Sequence, residues 1–225
     1  VVATTKSHGF YYEGHMADNS SNAWREYALS LLSFNKLQKG DKMSGMHGNK
    51  GTISYVQPDS EVLQLSNGRT CEILLSPCGV PSRMNYGQML EMPMSLVAEV
   101  LNIEIDTAAY NGASLEEVAT LMKFTYAMCN ETDSVNDIPS TAQKFGIIPI
   151  DMIPHLTENW EHIKDWEGVF DEYGCAPLYD PTIDEWLVGK AVIGFPTFNK
   201  LMQEAEEKLT VRAGIMEEEY ARTTS

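Results

Sequence analysis

Residues Gly40-Asp41-Lys42-Met43-Ser44-Gly45-Met46-His47-Gly48-Asn49-Lys50-Gly51 place four glycines and two lysines between hydrophobic stretches. Without Cβ atoms the backbone turns tightly and approaches a ligand closely. Backbone N–H groups combined with ammonium groups suit a phosphate. The same composition also describes a glycine-rich hairpin whose lysines face water. A nucleotide-binding P-loop is excluded, because Lys50 is followed by Gly51 and strand-like residues rather than by Ser or Thr opening a helix.

Further blocks follow downstream: Pro81-Ser82-Arg83-Met84-Asn85-x-Gly87-Gln88, Leu178-Tyr179-Asp180, and Lys208-x-x-x-Arg212. Taken in this order with the glycine–lysine stretch, they resemble the β subunit of multisubunit RNA polymerases, over roughly residues 28–215 of this chain and the C-terminal third of a cellular β subunit. The resemblance implies an α+β fold: a partial double-psi β-barrel with a helical insertion and a C-terminal amphipathic helix, completed by partner chains. It divides the chain into a barrel-forming segment with the lysine loop (1–87), a mainly helical, hybrid-binding-like insertion (88–173), and returning strands with the C-terminal helix (174–225).

By the same resemblance, Lys42 and Lys50 point into the active centre and hold phosphates at the RNA 3′ end or the priming nucleotide. Arg83 lies near the triphosphate of the incoming nucleotide, where a guanidinium fork clamps two oxygens. Asn85, Gln203, Lys208 and Arg212 complete the set expected to face RNA or substrate. Arg83 has a competing reading as a salt bridge supporting the Pro81 turn. Lys208 and Arg212 have one as cations capping a helix C-terminus. Two positions depart from the family: Met46 stands where an arginine is usual, and Gln203 where a histidine is frequent. Those departures, with the absence of the glycine-rich block that ends cellular β subunits, resemble a split β-type subunit of a giant bacteriophage polymerase.

Nucleotidyl transfer uses Mg²⁺ held by clustered carboxylates. No Asp-x-Asp-x-Asp run occurs here, and Glu104-x-Asp106 and Asp180 with Asp184 are isolated. This chain is therefore not expected to bind the metal; the resemblance implies that Mg²⁺ sits on a partner chain and that this one is not active alone. The partners implied are β′-type subunits bearing the aspartate triplet, an N-terminal β-type subunit, template DNA, the RNA transcript and nucleoside triphosphates. The expected location is the host cytoplasm, or the virion. A single-chain, two-barrel polymerase is excluded by the missing triplet. A purely structural subunit stays open, with Lys42, Lys50 and Arg83 counting against it.

The formal charge of −16 over 225 residues opposes a free-standing nucleic-acid binder. Charge is uneven, however: residues 36–83 carry six Lys/Arg against four Asp/Glu, whereas residues 151–186 carry ten acids and only Lys164. Cys71, Cys78, Cys129 and Cys175 form no CxxC pair, so neither zinc nor a disulfide framework is expected. No apolar run reaches the ~20 residues of a membrane span. No signal peptide is visible, and Val1 in place of Met leaves room for missing or processed residues.

Local patterns predict strands at about 52–57, 61–65 and 71–75, the last one buried; residues 23–34 fit a helix by propensity or a strand by alternation, and the resemblance implies a strand at roughly 28–35. A helix is predicted from Tyr86 to Leu101 despite Pro93, and another opening on the Ser114-Leu115-Glu116-Glu117 capping box. Residues 130–141 read as a flexible connection, 158–173 as a short acidic helix, and 174–195 as strands around Asp180-Pro181 with a third from Gly189. Residues 197–211 read as an amphipathic helix. His155 and His162 stand two turns apart, but no cysteine accompanies them and no metal is expected.

Overall fold

The computed structural model describes residues 36–107, 110, 112–205, 208 and 210, with residues 7–16 and 25–33 as backbone. In chain order the elements are β1 (Ser7–Met16), β2 (Arg25–Ser33), β3 (Lys42–Ser44), β4 (Lys50–Thr52), α1 (Gly79–Arg83), α2 (Gly87–Leu101), α3 (Leu115–Asn130), α4 (Ile138–Phe145), α5 (Ile153–Glu158), α6 (Trp160–Lys164), β5 (Cys175–Asp180), β6 (Glu185–Val192) and β7 (Asn199–Lys200). The class is α+β. Strands form three small sheets, ordered β1-β2, β4-β3-β7 and β5-β6. Among the described residues no helix is long and apolar enough to cross a membrane.

The chain divides into two compact units. The first comprises Val1–Met43, Gly51–Val56 and Lys200–Ser225. Here β1 and β2 pair antiparallel, with Tyr11 opposite Ser30 and Met16 opposite Arg25. The unit is tied at Asp41, whose side chain is almost wholly buried. Its Oδ2 accepts the Gln38 N–H (3.0 Å) and faces Lys200 Nζ (3.4 Å), while Oδ1 accepts the Ala205 N–H (2.9 Å). Lys200, equally buried, also donates to Glu204 Oε1 at 2.9 Å. Gly40 N–H donates to Ile53 O and Ile53 N–H to Asp41 O, each at 2.8 Å. Gly40 takes φ +100°, and a Cβ there would stand 3.0 Å from Ala205 Cβ.

This arrangement overturns residues 197–205 of the helix expected at 197–211. Residues 199–200 are strand and 201–205 are not helical; of the remainder, 208 and 210 alone are described. The apolar period is present, but the backbone donors go elsewhere. Leu201 N–H donates to Lys42 O (2.8 Å) and Ala205 N–H to the Asp41 carboxylate, so the i→i−4 ladder cannot start.

The second unit comprises Ser44–Lys50 and Gln57–Asn199. Its core joins Leu96, Val97, Val100 and Leu101 of α2 to Met122, Phe124 and Met128 of α3, with Ile138, Leu156, Ile163 and Trp166 closing around them. Ser114 Oγ accepts the Glu117 N–H (3.2 Å) and the Glu117 carboxylate accepts the Ser114 N–H (2.7 Å), the capping box expected for α3. Cys129 is buried in this core, and burial pushes its thiol up to about 12. All four cysteines are free.

Five other local expectations fail in this unit; the strand at 61–65 reduces to isolated bridges of Gln64 with Thr70 and Tyr179. The presumed connection at 130–141 holds the start of α4, because Pro139 suits the first helical turn and Ile138 is fully buried. The 158–173 helix is broken into α5 and α6 followed by turns. A buried strand at 71–75 does not form: Cys71 N–H reaches Leu63 O, but Ile73, Leu74 and Leu75 are exposed and unladdered. The third strand stops at Val192, where Gly194 lies so close to α2 that a Cβ would meet Met92 O at 2.4 Å. Phe195 N–H then donates to Ser95 Oγ (2.9 Å) and Thr197 N–H to Glu91 Oε1 (3.3 Å), so helix side chains replace a strand partner.

The buried pair in the first unit generates a stability prediction. Removing one partner of a buried ion pair strands the other charge, so Lys200→Ala should lower stability by roughly 3 kcal/mol in urea unfolding. Burial pushes the Asp41 carboxyl up, but the Ala205 and Gln38 N–H donors and the Lys200 ammonium outweigh it and hold it below its usual value. A depressed carboxyl contributes stability that is present above its unfolded value of about 4 and lost as pH falls through the folded one. Asp41→Asn should therefore flatten the loss of stability below about pH 4, measured by unfolding at stepped pH.

Candidate functional site

The loop between β3 and β4 folds on its own side chains. Gly45 takes no Cβ because one would stand 2.5 Å from the Asn49 amide, and Asn49 Oδ1 accepts the His47 N–H at 3.2 Å. Gly48 adopts φ +69°, and its carbonyl accepts the Lys50 N–H at 2.9 Å. The motif's glycines and asparagine thus shape the turn that presents His47 and Lys50. His47 Nε2 contacts Glu91 Oε2 of α2 at 2.8 Å, and a Cβ at Gly87 would lie 2.8 Å from His47 Nδ1.

Lys50 is exposed, and Lys42, in β3, is half-buried. Arg83 is the last residue of α1 and is exposed; Met84 then takes a left-handed conformation (φ 55°), its N–H returning to Val80 O at 2.9 Å. Among the described residues none of these three cations forms an ion pair or side-chain hydrogen bond, and the bridge that would support the Pro81 turn through Arg83 does not appear. Other cations are engaged. Arg69 pairs with Glu99 (2.6 Å) and stacks over Trp166 (4.6 Å), Lys164 donates to Cys129 O (2.7 Å), and Lys190 pairs with Asp171 (2.9 Å).

Asn85 is half-buried; its amide nitrogen lies 3.4 Å from Gln88 Oε1, and its Oδ1 is buried without a partner among the described residues. Gln203 and Lys208 are exposed, and Arg212 lies outside the described residues. Lys42, Gln203 and Lys208 belong to the first unit, and Lys50, Arg83 and Asn85 to the second. His155 and His162 serve the C-terminal end of α2: their Nε2 atoms donate to Asn102 O and Glu99 O, each at 2.8 Å. The described residues contain no group of three or more His, Cys, Asp or Glu able to hold a metal ion.

The chain matches the family described as RNA polymerase Rpb2, domain 6, over residues 14–216. It belongs to that family. Among curated relatives, the DNA-directed RNA polymerase subunit beta of Limosilactobacillus reuteri is 49% identical over 178 residues, covering 79% of this chain and 11% of the relative. That of Oenococcus oeni is 50% identical over 88 residues, 39% of this chain and 7% of the relative. That of Enterococcus faecium is 34% identical over 177 residues, 76% of this chain and 14% of the relative. The chain thus spans about a tenth of the length of the curated relatives it matches. Sequence reasoning passed over His47 and Glu91: His47 stood within the quoted motif, but its partner lies forty-four positions on, and only the spacing of Gly87 and Glu91 by one helical turn hinted at a shared face.

Cations without partners stabilise nothing internally. Lys50→Ala and Arg83→Ala should each leave unfolding free energy within about 0.5 kcal/mol of the parent in denaturant titration.

Proposed function

We propose that this chain works as a β-type segment of a DNA-directed RNA polymerase, placing cations on the phosphates of the RNA 3′ end and of the incoming nucleoside triphosphate. The carrying observation is that Asp41, His47 and Asn49 of the glycine–lysine motif are engaged with other groups of the chain while Lys42, Lys50 and Arg83 keep no partner among the described residues. Phosphoryl transfer leaves a protein little covalent chemistry, so positioning and electrostatics make up most of what it contributes. Ammonium groups at Lys42 and Lys50 would stabilise charge at the priming end, and the Arg83 fork would clamp two oxygens of the triphosphate. Asn85, Gln203, Lys208 and Arg212 would each contact RNA or substrate, Gln203 by hydrogen bonding without a titratable proton.

The Mg²⁺ of this chemistry does not fit the described donor set, which lacks a carboxylate cluster. In this reading it is held by a β′-type partner, and no step is assigned to it here. The three small sheets would be parts of a double-psi barrel completed by partner chains, including an N-terminal β-type subunit. Exposed Ile73, Leu74 and Leu75, and Val188 standing clear on β6, support burial against another chain. Met46 and Gln203, where the family carries arginine and histidine, support a divergent, split subunit of a giant bacteriophage acting on DNA in the host cytoplasm or carried in the virion.

Two measurements on the assembled polymerase test this. Lys42→Ala and Lys50→Ala should leave co-purification with the aspartate-triplet chain intact and slow primer extension by roughly 100- to 1000-fold, the scale for loss of one preorganised charge contact. Extension at the parental rate would exclude these lysines from the active centre. Arg83→Lys keeps charge but loses the fork, so the apparent KM for nucleoside triphosphates should rise with the melting temperature unchanged. A lowered melting temperature with the same KM would return Arg83 to a structural role.

A further inference from the structure

The docking of His47 on α2 does more than close a loop. Gly87 and Glu91 are one helical turn apart and share a face. The imidazole lies along that turn, with Nδ1 against Gly87 and Nε2 on the Glu91 carboxylate. Any side chain at 87 would occupy the space of the ring, since a Cβ would fall 2.8 Å from Nδ1 and 3.0 Å from Cε1. Glu91 is itself held, because its other oxygen accepts the Thr197 N–H. On the loop side, Asn49 accepts the His47 N–H and Lys50 follows directly. On the helix side, Arg83 precedes Gly87 by four residues, across the left-handed Met84. The ring is therefore the side-chain link between the backbone that carries Lys50 and the backbone that carries Arg83. All of these residues lie in one unit.

We infer that His47, seated on Gly87 and held by Glu91, is a positioning residue that sets Lys50 relative to Arg83, and thereby the spacing between the two phosphate groups the site can hold at once. This rests on the polymerase reading above. Misplacing a contact group by about 1 Å costs roughly 100-fold in rate. A residue that works through Lys50 must lose its effect once Lys50 is gone.

The test is a double-mutant cycle on the assembled polymerase, measuring single-nucleotide extension and melting temperature. His47→Ala should slow extension roughly 10- to 100-fold. In the Lys50→Ala background the same change should alter the rate by less than about two-fold. Glu91→Gln, which keeps size and hydrogen-bonding capacity, should show the same pattern in milder form and covers the case in which His47→Ala assembles poorly. Equal slowing in both backgrounds, or a rate loss matched by a falling melting temperature in both variants, would overturn the inference while leaving the lysine assignment standing. If Lys50→Ala alone extends at the parental rate, Lys50 is excluded from the active centre and the positioning role fails with it.

Discussion

Asp41 is the constraint on which the lysine-bearing strand depends. A carboxylate removed from water is tolerated when its lone pairs are filled, and here two backbone N–H groups and a buried ammonium fill them. Its donors come from Gln38, three residues back, and from Lys200 and Ala205 at the far end of the chain. Such a pair adds little net stability over well-packed apolar residues, but its directionality selects one register. Lys42 follows Asp41 directly, and its own carbonyl is bonded to Leu201. The backbone on both sides of this lysine is thus held, while its ammonium is left unpaired among the described residues.

The second unit reaches the same outcome by different means. No buried ion pair holds Lys50; the turn before it is shaped by absent Cβ atoms at Gly45 and Gly87 and by the side chains of Asn49 and His47 that fill the space. Glycine is used here less for backbone freedom than for close approach, the exception being Gly48 with its positive φ. The motif residues Gly45, His47 and Asn49 between the lysines serve geometry, and neither ammonium has a partner among the described residues.

What the sequence made legible was local and chemically marked. The Ser114 capping box, the apolar run of α2 and the hairpin turning at Asp180-Pro181 carry their signals within a few residues, and each appears close to the expected place. The motif lysines and Arg83 were identified from resemblance, and their lack of partners could not be read from sequence at all. The errors cluster where a distant polar group captures a backbone. Residues 197–205 have a helical apolar period, yet the carboxylate of Asp41, 164 positions away, takes the Ala205 N–H. Phe195 closed an expected strand and Thr197 opened the expected helix, but Ser95 and Glu91 occupy their N–H groups from about a hundred positions away. Ile73, Leu74 and Leu75 erred in the opposite sense: hydrophobicity implied burial, and nothing in the described chain covers them. β1 lay in a segment whose mixed composition gave no alternation to follow.

The acid excess and the cationic motifs are reconciled by range. At physiological ionic strength charges separated by more than about 8 Å are largely screened, so a formal charge of −16 spread over the chain governs solubility more than contact chemistry. What a phosphate meets at close quarters is the nearest few groups. In the second unit Glu91, on the helix that follows Arg83, is engaged with His47 and the Thr197 N–H rather than with either Lys50 or Arg83. In the first unit Asp41 and Glu204 are likewise turned on Lys200. Asp41 beside Lys42 and Glu91 eight residues after Arg83 are therefore partnered elsewhere, and among the described residues Lys42, Lys50 and Arg83 form no ion pair within an acidic protein.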